Sequence, residues 1–185
     1  LEEIRVMDIR PEGTKKVVEK FKDKYPQIKF VEYTDMDNAI KGTDIILTAV
    51  HAPGNAGRAI LDDVKMEKGV TLVEIAGGVS SNKIREEFDY SVVDDIEAYI
   101  HRINASRGYM KDVFGKDMPL LTRDIADAQI GDIITGKTVG RQNDEQRVHA
   151  AGIGMSIEDI VVANDIYTKA KARDIGKVIS VIDDI

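Results

Sequence analysis

The chain contains no cysteine. Disulfides, zinc–thiolate centres and thiol nucleophiles are therefore excluded, and a reducing cytoplasm is the expected setting. Histidine is scarce. His51, His101 and His149 stand far apart, with no pair at the i, i+4 spacing that brings two imidazoles to one helix face, so no metal site is expected. Positive charge is in deficit, with 26 Lys and Arg against 33 Asp and Glu and a formal net charge of −7. A chain so balanced lacks the basic face that neutralises phosphates, which argues against nucleic acid and anionic membrane as partners. Long apolar runs are also absent: the longest span a handful of residues, where a membrane helix needs about 20. No signal peptide is expected ahead of the first strand, and Leu1 is not an initiator methionine.

What is present describes a folded domain. The 185 residues are 43% hydrophobic and 32% charged, enough for one good core and a small appended lobe. Strand-like and helix-like segments alternate. Ile4–Asp8 reads as a short strand ending on an acid, and Pro11 suits the first turn of a helix carrying Val17, Val18 and Phe21 on one face. Residues 28–33 read as a strand, Met36–Ile40 as a short helix stopped by Gly42, and Asp44–Val50 as a strand buried on both faces. Residues 70–75 and 91–94 add two more strands. Strands separated by helices, with few hairpin dipeptides, imply right-handed crossovers and a parallel sheet.

The second half is read as a helix over 96–103, a loop over 104–119 and a helix over 122–130. His149-Ala150-Ala151 reads as a poor buried strand. Ser156 and Asp159 resemble a capping box opening a long helix, with Ile157, Ile160, Val161, Ile166, Tyr167 and Ala170 as its apolar stripe and Gly176 as its stop. A last strand is predicted over 178–182.

Three features invite chemistry. In a dinucleotide fold, an acid at the end of the second strand accepts hydrogen bonds from the adenosine ribose and disfavours a 2′-phosphate, so Asp8 reads either as that acid or as a turn residue. Arg10 would soften the preference, which leaves NADP possible beside NAD. The Gly-x-Gly-x-x-Gly loop that should lie roughly 20 residues before such an acid has no counterpart, since seven residues precede Asp8. Gly152-Ile153-Gly154 offers a rival phosphate loop ahead of the long helix, though without the third glycine. Gly77 and Gly78 follow a strand's carboxyl end, where ligands of open α/β sheets bind, and Thr48 ends a neighbouring strand.

Five segments, in order, resemble the ornithine cyclodeaminase/mu-crystallin family: Val6–Arg10, Ala39–Thr48, Val73–Gly78, Gly131–Arg141 and Gly154–Asp159. The resemblance implies an α/β, Rossmann-type parallel sheet whose first strand and glycine loop are missing here. It implies a partial NAD(P)-binding domain over residues 1–150 and a C-terminal segment, 151–185, whose helix returns to a dimerisation and substrate lobe. Cofactor contacts would come from Asp8, Thr48, Gly77, Gly78 and Lys83, and a substrate contact from Ile153. The family's members act on small α-amino or α-imino acids, and a homodimer is implied. In the cyclodeaminases an Asp follows the glycine pair; here Val79 stands there, and valine neither transfers a proton nor steadies a cationic imine. An imine reductase or amino-acid dehydrogenase is therefore favoured over a cyclodeaminase. A non-catalytic NAD(P)H-binding protein of the mu-crystallin type is one alternative, and an unrelated α/β domain using the Gly152 loop is another. Without the first strand and glycine loop, the chain by itself is expected to bind dinucleotide poorly.

Overall fold

The computed structural model describes residues 1–49, 61, 64–75, 85–114 and 120–179. The chain divides into two compact units, Leu1–Ile153 and Gly154–Ile185. The first opens with β1 (Glu3–Met7), α1 (Pro11–Lys22), β2 (Lys29–Tyr33), α2 (Met36–Ile40) and β3 (Ile45–Thr48). It continues with β4 (Thr71–Glu74), β5 (Tyr90–Val93), α3 (Ile96–Phe114), a 3₁₀ turn (Arg123–Ile125), β6 (Ala128–Gln129), α4 (Ile130–Ile134) and β7 (Val148–Ala151). The second unit carries α5 (Ser156–Ala172).

Among the described residues every strand pairing is parallel, as the alternation of strands and helices requires. The strands form two sheets, β1-β2 and β3-β4-β7-β5-β6. Local chemistry fixes the connections. Pro11 stands at the first turn of α1, and the Asp35 carboxylate caps α2 by accepting the Asn38 N–H at 2.9 Å. Gly42 then leaves α2 at φ +67°, a left-handed conformation glycine adopts without a Cβ clash.

Alternating side chains of the larger sheet feed different cores. Ile46 and Leu72 face one way, onto Ile40, Leu61, Val64, Met66 and Val70. Leu72 is fully enclosed, and burying a side chain of that size contributes about 1.5–3 kcal/mol. Tyr90, Val92 and Val148 face the other way with Ala128, under Ile133 of α4. The Tyr90 hydroxyl donates to the Val139 carbonyl at 2.8 Å, and burial holds its pKa above the usual phenol value.

Several expectations are corrected. β7 lies between β4 and β5 in the middle of the sheet, although Val-His-Ala-Ala reads as a poor strand. Its small residues fit a crowded centre, and its histidine finds a buried partner, Glu74. The helix over 96–103 continues to Phe114, steadied where the Asn104 side chain donates to the Leu121 carbonyl (3.0 Å) and accepts the Leu121 N–H (2.9 Å). The helix expected over 122–130 is instead a 3₁₀ turn, a short strand and the start of α4. The Asp127 carboxylate causes the break: it accepts from the backbone and hydroxyl of Ser91, at 2.7 and 3.0 Å, and draws Ala128–Gln129 onto β5.

In the second unit, Met155 rather than Ser156 precedes the helix, its N–H donating to Glu158 Oε2 at 3.2 Å. α5 ends at Ala172, before Gly176, with Asp174 taking a left-handed turn at φ +54°. Val178 and Ile179 are irregular, and residues 180–182 of the predicted last strand lie outside the described residues. The apolar residues of α5 are exposed: Ile157, Ile160, Val161, Val162, Ile166 and Tyr167 all lie near 60%.

Candidate functional site

Parallel strands present their carboxyl ends on one edge, and ligands of open α/β sheets bind there because loops and helix N-termini converge on it. Asp8 follows the carboxyl end of β1, in the two-stranded sheet. Its Oδ1 accepts the Arg10 N–H at 2.7 Å, and Arg10 Nε lies 3.6 Å from the same oxygen. The turn role foreseen for Asp8 is thus present, yet the side chain keeps 39% exposure. Gly13 in α1 passes beside it, where an added Cβ would stand 3.3 Å from Asp8 Cγ and 3.4 Å from Oδ2. A side chain at that position would press against the carboxylate.

Thr48 ends β3 but is packed inward. It is 7% exposed, and its hydroxyl reaches the Val73 carbonyl at 3.5 Å, a long contact. Ile153 follows β7 and packs beside Val93, Tyr99, Ala126 and Ala151, with its N–H donating to Asp94 Oδ2 at 2.8 Å. Gly77, Gly78, Val79 and Lys83 lie outside the described residues. Thr48 ends β3 and Ile153 follows β7 in the five-stranded sheet, whereas Asp8 follows β1 in the two-stranded one.

Two groupings escape a reading of the sequence. Asp94 and Asp95 end β5; Asp94 pins the Gly152–Ile153 turn, and Asp95 Oδ1 accepts the Ala98 N–H at 2.7 Å to start α3. Two acids directly after an apolar strand were the available signal. The other is a buried pair inside the sheet: His149 Nε2 stands 2.6 Å from Glu74 Oε2, at 7% and 2% side-chain exposure. Arg85 lies 3.5 Å from the same oxygen, and the Phe88 ring packs against the imidazole at 5.6 Å. Nothing in the spacing of Glu74 and His149 announces this contact. Among the described residues, no group of acids and histidines is arranged to hold a metal ion.

A cavity of about 480 Å³ opens elsewhere, lined by Arg5, Glu32, Tyr33, Thr34, Asp35, Asn38 and Lys41. Arg5 is not available there for an anion. Its Nε binds Glu3 at 2.6 Å and its Nη1 donates to the Lys41 carbonyl at 2.5 Å, while the guanidinium lies over the Tyr33 ring. Lys29 and Arg5 together hold the Glu3 carboxyl below the usual range. This is a structural ion cluster beside α2.

The family model for the ornithine cyclodeaminase/mu-crystallin family matches residues 1–174. The chain belongs to that family. Membership removes the reading of an unrelated α/β domain built on the Gly152 loop. Among curated relatives, the Delta(1)-pyrroline-2-carboxylate reductase of Bacillus thuringiensis subsp. konkukian is 26% identical over 148 residues, 78% of this chain and 42% of the relative. The N-((2S)-2-amino-2-carboxyethyl)-L-glutamate dehydrogenase of Staphylococcus aureus is 22% identical over 177 residues, 95% of this chain and 49% of the relative. Among solved structures, Thermococcus litoralis Delta(1)-pyrroline-2-carboxylate reductase in complex with NADH and L-proline superposes with a TM-score of 0.72 at 22% identity. That match covers 96% of this chain and 53% of the solved one, and it establishes the Rossmann-like fold. This family member therefore spans about half the length of the relatives it matches.

Proposed function

We propose that this chain forms part of an NAD(P)-dependent oxidoreductase acting at the α-carbon of a small amino or imino acid. The observation that carries the reading is Asp8: a carboxylate with 39% side-chain exposure at the carboxyl end of β1, with Gly13 beside it, where a nucleotide ribose would be held. Its charge favours NAD over NADP, because a 2′-phosphate would meet a carboxylate at close range. Arg10, already engaged with Asp8, offers only partial compensation.

The residues fit such a group. Asp8 would hold the adenosine ribose, with Gly77, Gly78 and Lys83 as the family resemblance assigns them. When bound, the nicotinamide supplies or accepts the hydride. The chain's own contribution is orientation: Asp94 fixes the turn carrying Ile153, the position assigned to substrate contact. Val79, at the cyclodeaminases' Asp position, favours reductase or dehydrogenase chemistry, in keeping with the reductase and dehydrogenase among the relatives. Residues 1–150 would form the nucleotide-binding part. The exposed apolar stripe of α5, in the segment 151–185, would build the lobe that binds substrate and makes a homodimer.

The test titrates the protein that carries this chain with NADH and NADPH, read by nicotinamide fluorescence. NADH binding lost in Asp8→Ala is the expected result; binding indifferent to Asp8 would overturn the reading. Turnover is then screened with Delta(1)-pyrroline-2-carboxylate and with α-amino acids. Binding without turnover of any of them, and no gain from Val79→Asp, would leave a cofactor-binding protein in place of an enzyme.

A further inference from the structure

Glu74 and Arg85 stand on either side of residues 75–84, the stretch of sequence that holds Gly77, Gly78, Val79 and Lys83. Their side chains meet, with Arg85 Nη2 3.5 Å from Glu74 Oε2. The same oxygen lies 2.6 Å from His149 Nε2 on β7. Phe88, shortly after Arg85, sets its ring against the His149 imidazole with 5.6 Å between centroids, and its N–H donates to the Arg85 carbonyl at 3.1 Å. One imidazole is therefore flanked by Glu74, where the chain leaves β4, and by Phe88, where it approaches β5.

Both sides are fixed in the sheet. The Glu74 carbonyl accepts the Gly152 N–H at 3.4 Å, and the Ile75 N–H donates to the Thr48 carbonyl at 3.0 Å. This end of β4 is thus tied to the ends of β7 and β3. On the other side, Phe88 packs against the core of Ile40, Ile46 and Leu72. The N–H groups of Asp89 and Tyr90 both donate to the Arg147 carbonyl, at 3.0 and 3.2 Å, as β5 begins.

Packing alone does not call for these groups. Leu72 pairs in register with His149, and Glu74 follows Leu72 at the next position of the same face, so all three side chains lie on one side of the sheet. A carboxyl and an imidazole buried there, beside a guanidinium, pay a desolvation penalty that only good geometry repays. Apolar residues of similar volume often serve stability equally well. What a connected polar cluster adds is direction, because it holds its members at set distances. Here those members are the two sides of the stretch 75–84.

We propose that Glu74, Arg85 and His149 act as one positioning unit for the dinucleotide. The Arg85–Glu74 contact, seated on His149, fixes where the chain leaves β4 and where it returns toward β5, on either side of Gly77, Gly78 and Lys83. This role rests on the proposed function, which assigns those three residues to the cofactor. A connection tied at both ends has less freedom to lose when a ligand orders it, so the contact tightens cofactor binding. Arg85 acts through Glu74 and needs no contact with the cofactor itself. It faces one oxygen at 3.5 Å, so its charge matters more than the fork of the guanidinium, and lysine can stand in for it.

NADH titration and amide hydrogen exchange on the protein that carries this chain test the proposal. Arg85→Met should weaken NADH binding by about tenfold and speed exchange of the Phe88 amide, while the amides of β5 keep their rates. Arg85→Lys should recover most of the affinity. With Glu74→Leu already present, Arg85→Met should cost little more, because the contact is gone. Unchanged affinity in Arg85→Met, unchanged Phe88 exchange, or no recovery with lysine would each overturn the proposal. So would equal losses with and without Glu74→Leu, which would mean that Arg85 acts independently of Glu74. Faster exchange throughout, β5 included, would show a general loss of stability and overturn it too. A wild-type protein that binds no NADH would sink the proposed function and the cofactor role together; the contact itself is then judged by exchange, in which Phe88 should respond and β5 should not.

Discussion

The Asp94 carboxylate accepts the backbone N–H of Ile153 at 2.8 Å, tying the end of β5 to the turn that follows β7. The same carboxylate accepts the Asp95 N–H at 3.0 Å through its other oxygen, so both are committed to backbone. The contact holds in place the position assigned to substrate, from a neighbouring strand.

Asp94→Leu should therefore loosen the Gly152–Ile153 turn. Hydrogen bonds to a charged group contribute about 1.5–3 kcal/mol, and a loss in that range is expected in urea unfolding. Exchange of the Ile153 amide should accelerate more than that of Ala151 on the strand itself. Equal acceleration at both would show a general loss of stability instead of a released turn.

Glu74 and His149 should behave as one unit. Leaving a buried polar group without its hydrogen-bond partner costs about 1–3 kcal/mol. Glu74→Leu should approach that cost, His149→Phe should cost less because Arg85 still stands beside Glu74, and the double variant should fall well short of their sum. Additivity in the double-mutant cycle would show that the contact contributes nothing.

This pair also marks where the sequence is hard to read. β1 to β3 are legible because their apolar runs and the intervening Pro11 and Gly42 each make a local signal. β7 is not, because a histidine in a central strand is tolerable only once Glu74, 75 residues away in sequence, is folded beside it. The second half of α3 is hidden for a similar reason, its support coming from the backbone of Leu121. At the site, Asp8 could be placed from its position at a strand end. Asp94 was missed because its role depends on β5 and β7 being neighbours, which nothing local encodes.

Arg147 donates to the Asp89 carboxylate from its backbone and side chain, which lowers the Asp89 pKa to about 2. A depressed carboxylate stabilises the fold above its unfolded pKa and loses that contribution as pH falls through the folded one. The window here runs from about pH 4 down to about 2. An NMR titration should place Asp89 near 2, and Arg147→Ala should return it toward the usual value. Asp89→Asn should flatten the acid limb of the stability curve across this window.

Gly69 sits at φ +79°, and a Cβ there would meet the Asp144 carbonyl oxygen at 2.4 Å. Its own N–H donates to the Glu145 carbonyl, and its carbonyl accepts from Arg141, so the turn cannot easily move away. Gly69→Ala should lower Tm measurably, by the equivalent of about 1–3 kcal/mol. Gly131→Ala, with open space around it, should leave Tm nearly unchanged.

Asp8 is the residue on which the functional reading depends, and NADH titration of the protein that carries this chain against its Asp8→Ala variant is the most direct test. Losing a charge-assisted contact to the ribose should weaken NADH binding by about tenfold or more while leaving the thermal unfolding profile in place. Equal affinity in the two proteins, or loss only when Gly152 and Gly154 are replaced, would contradict the placement of the dinucleotide at the end of β1.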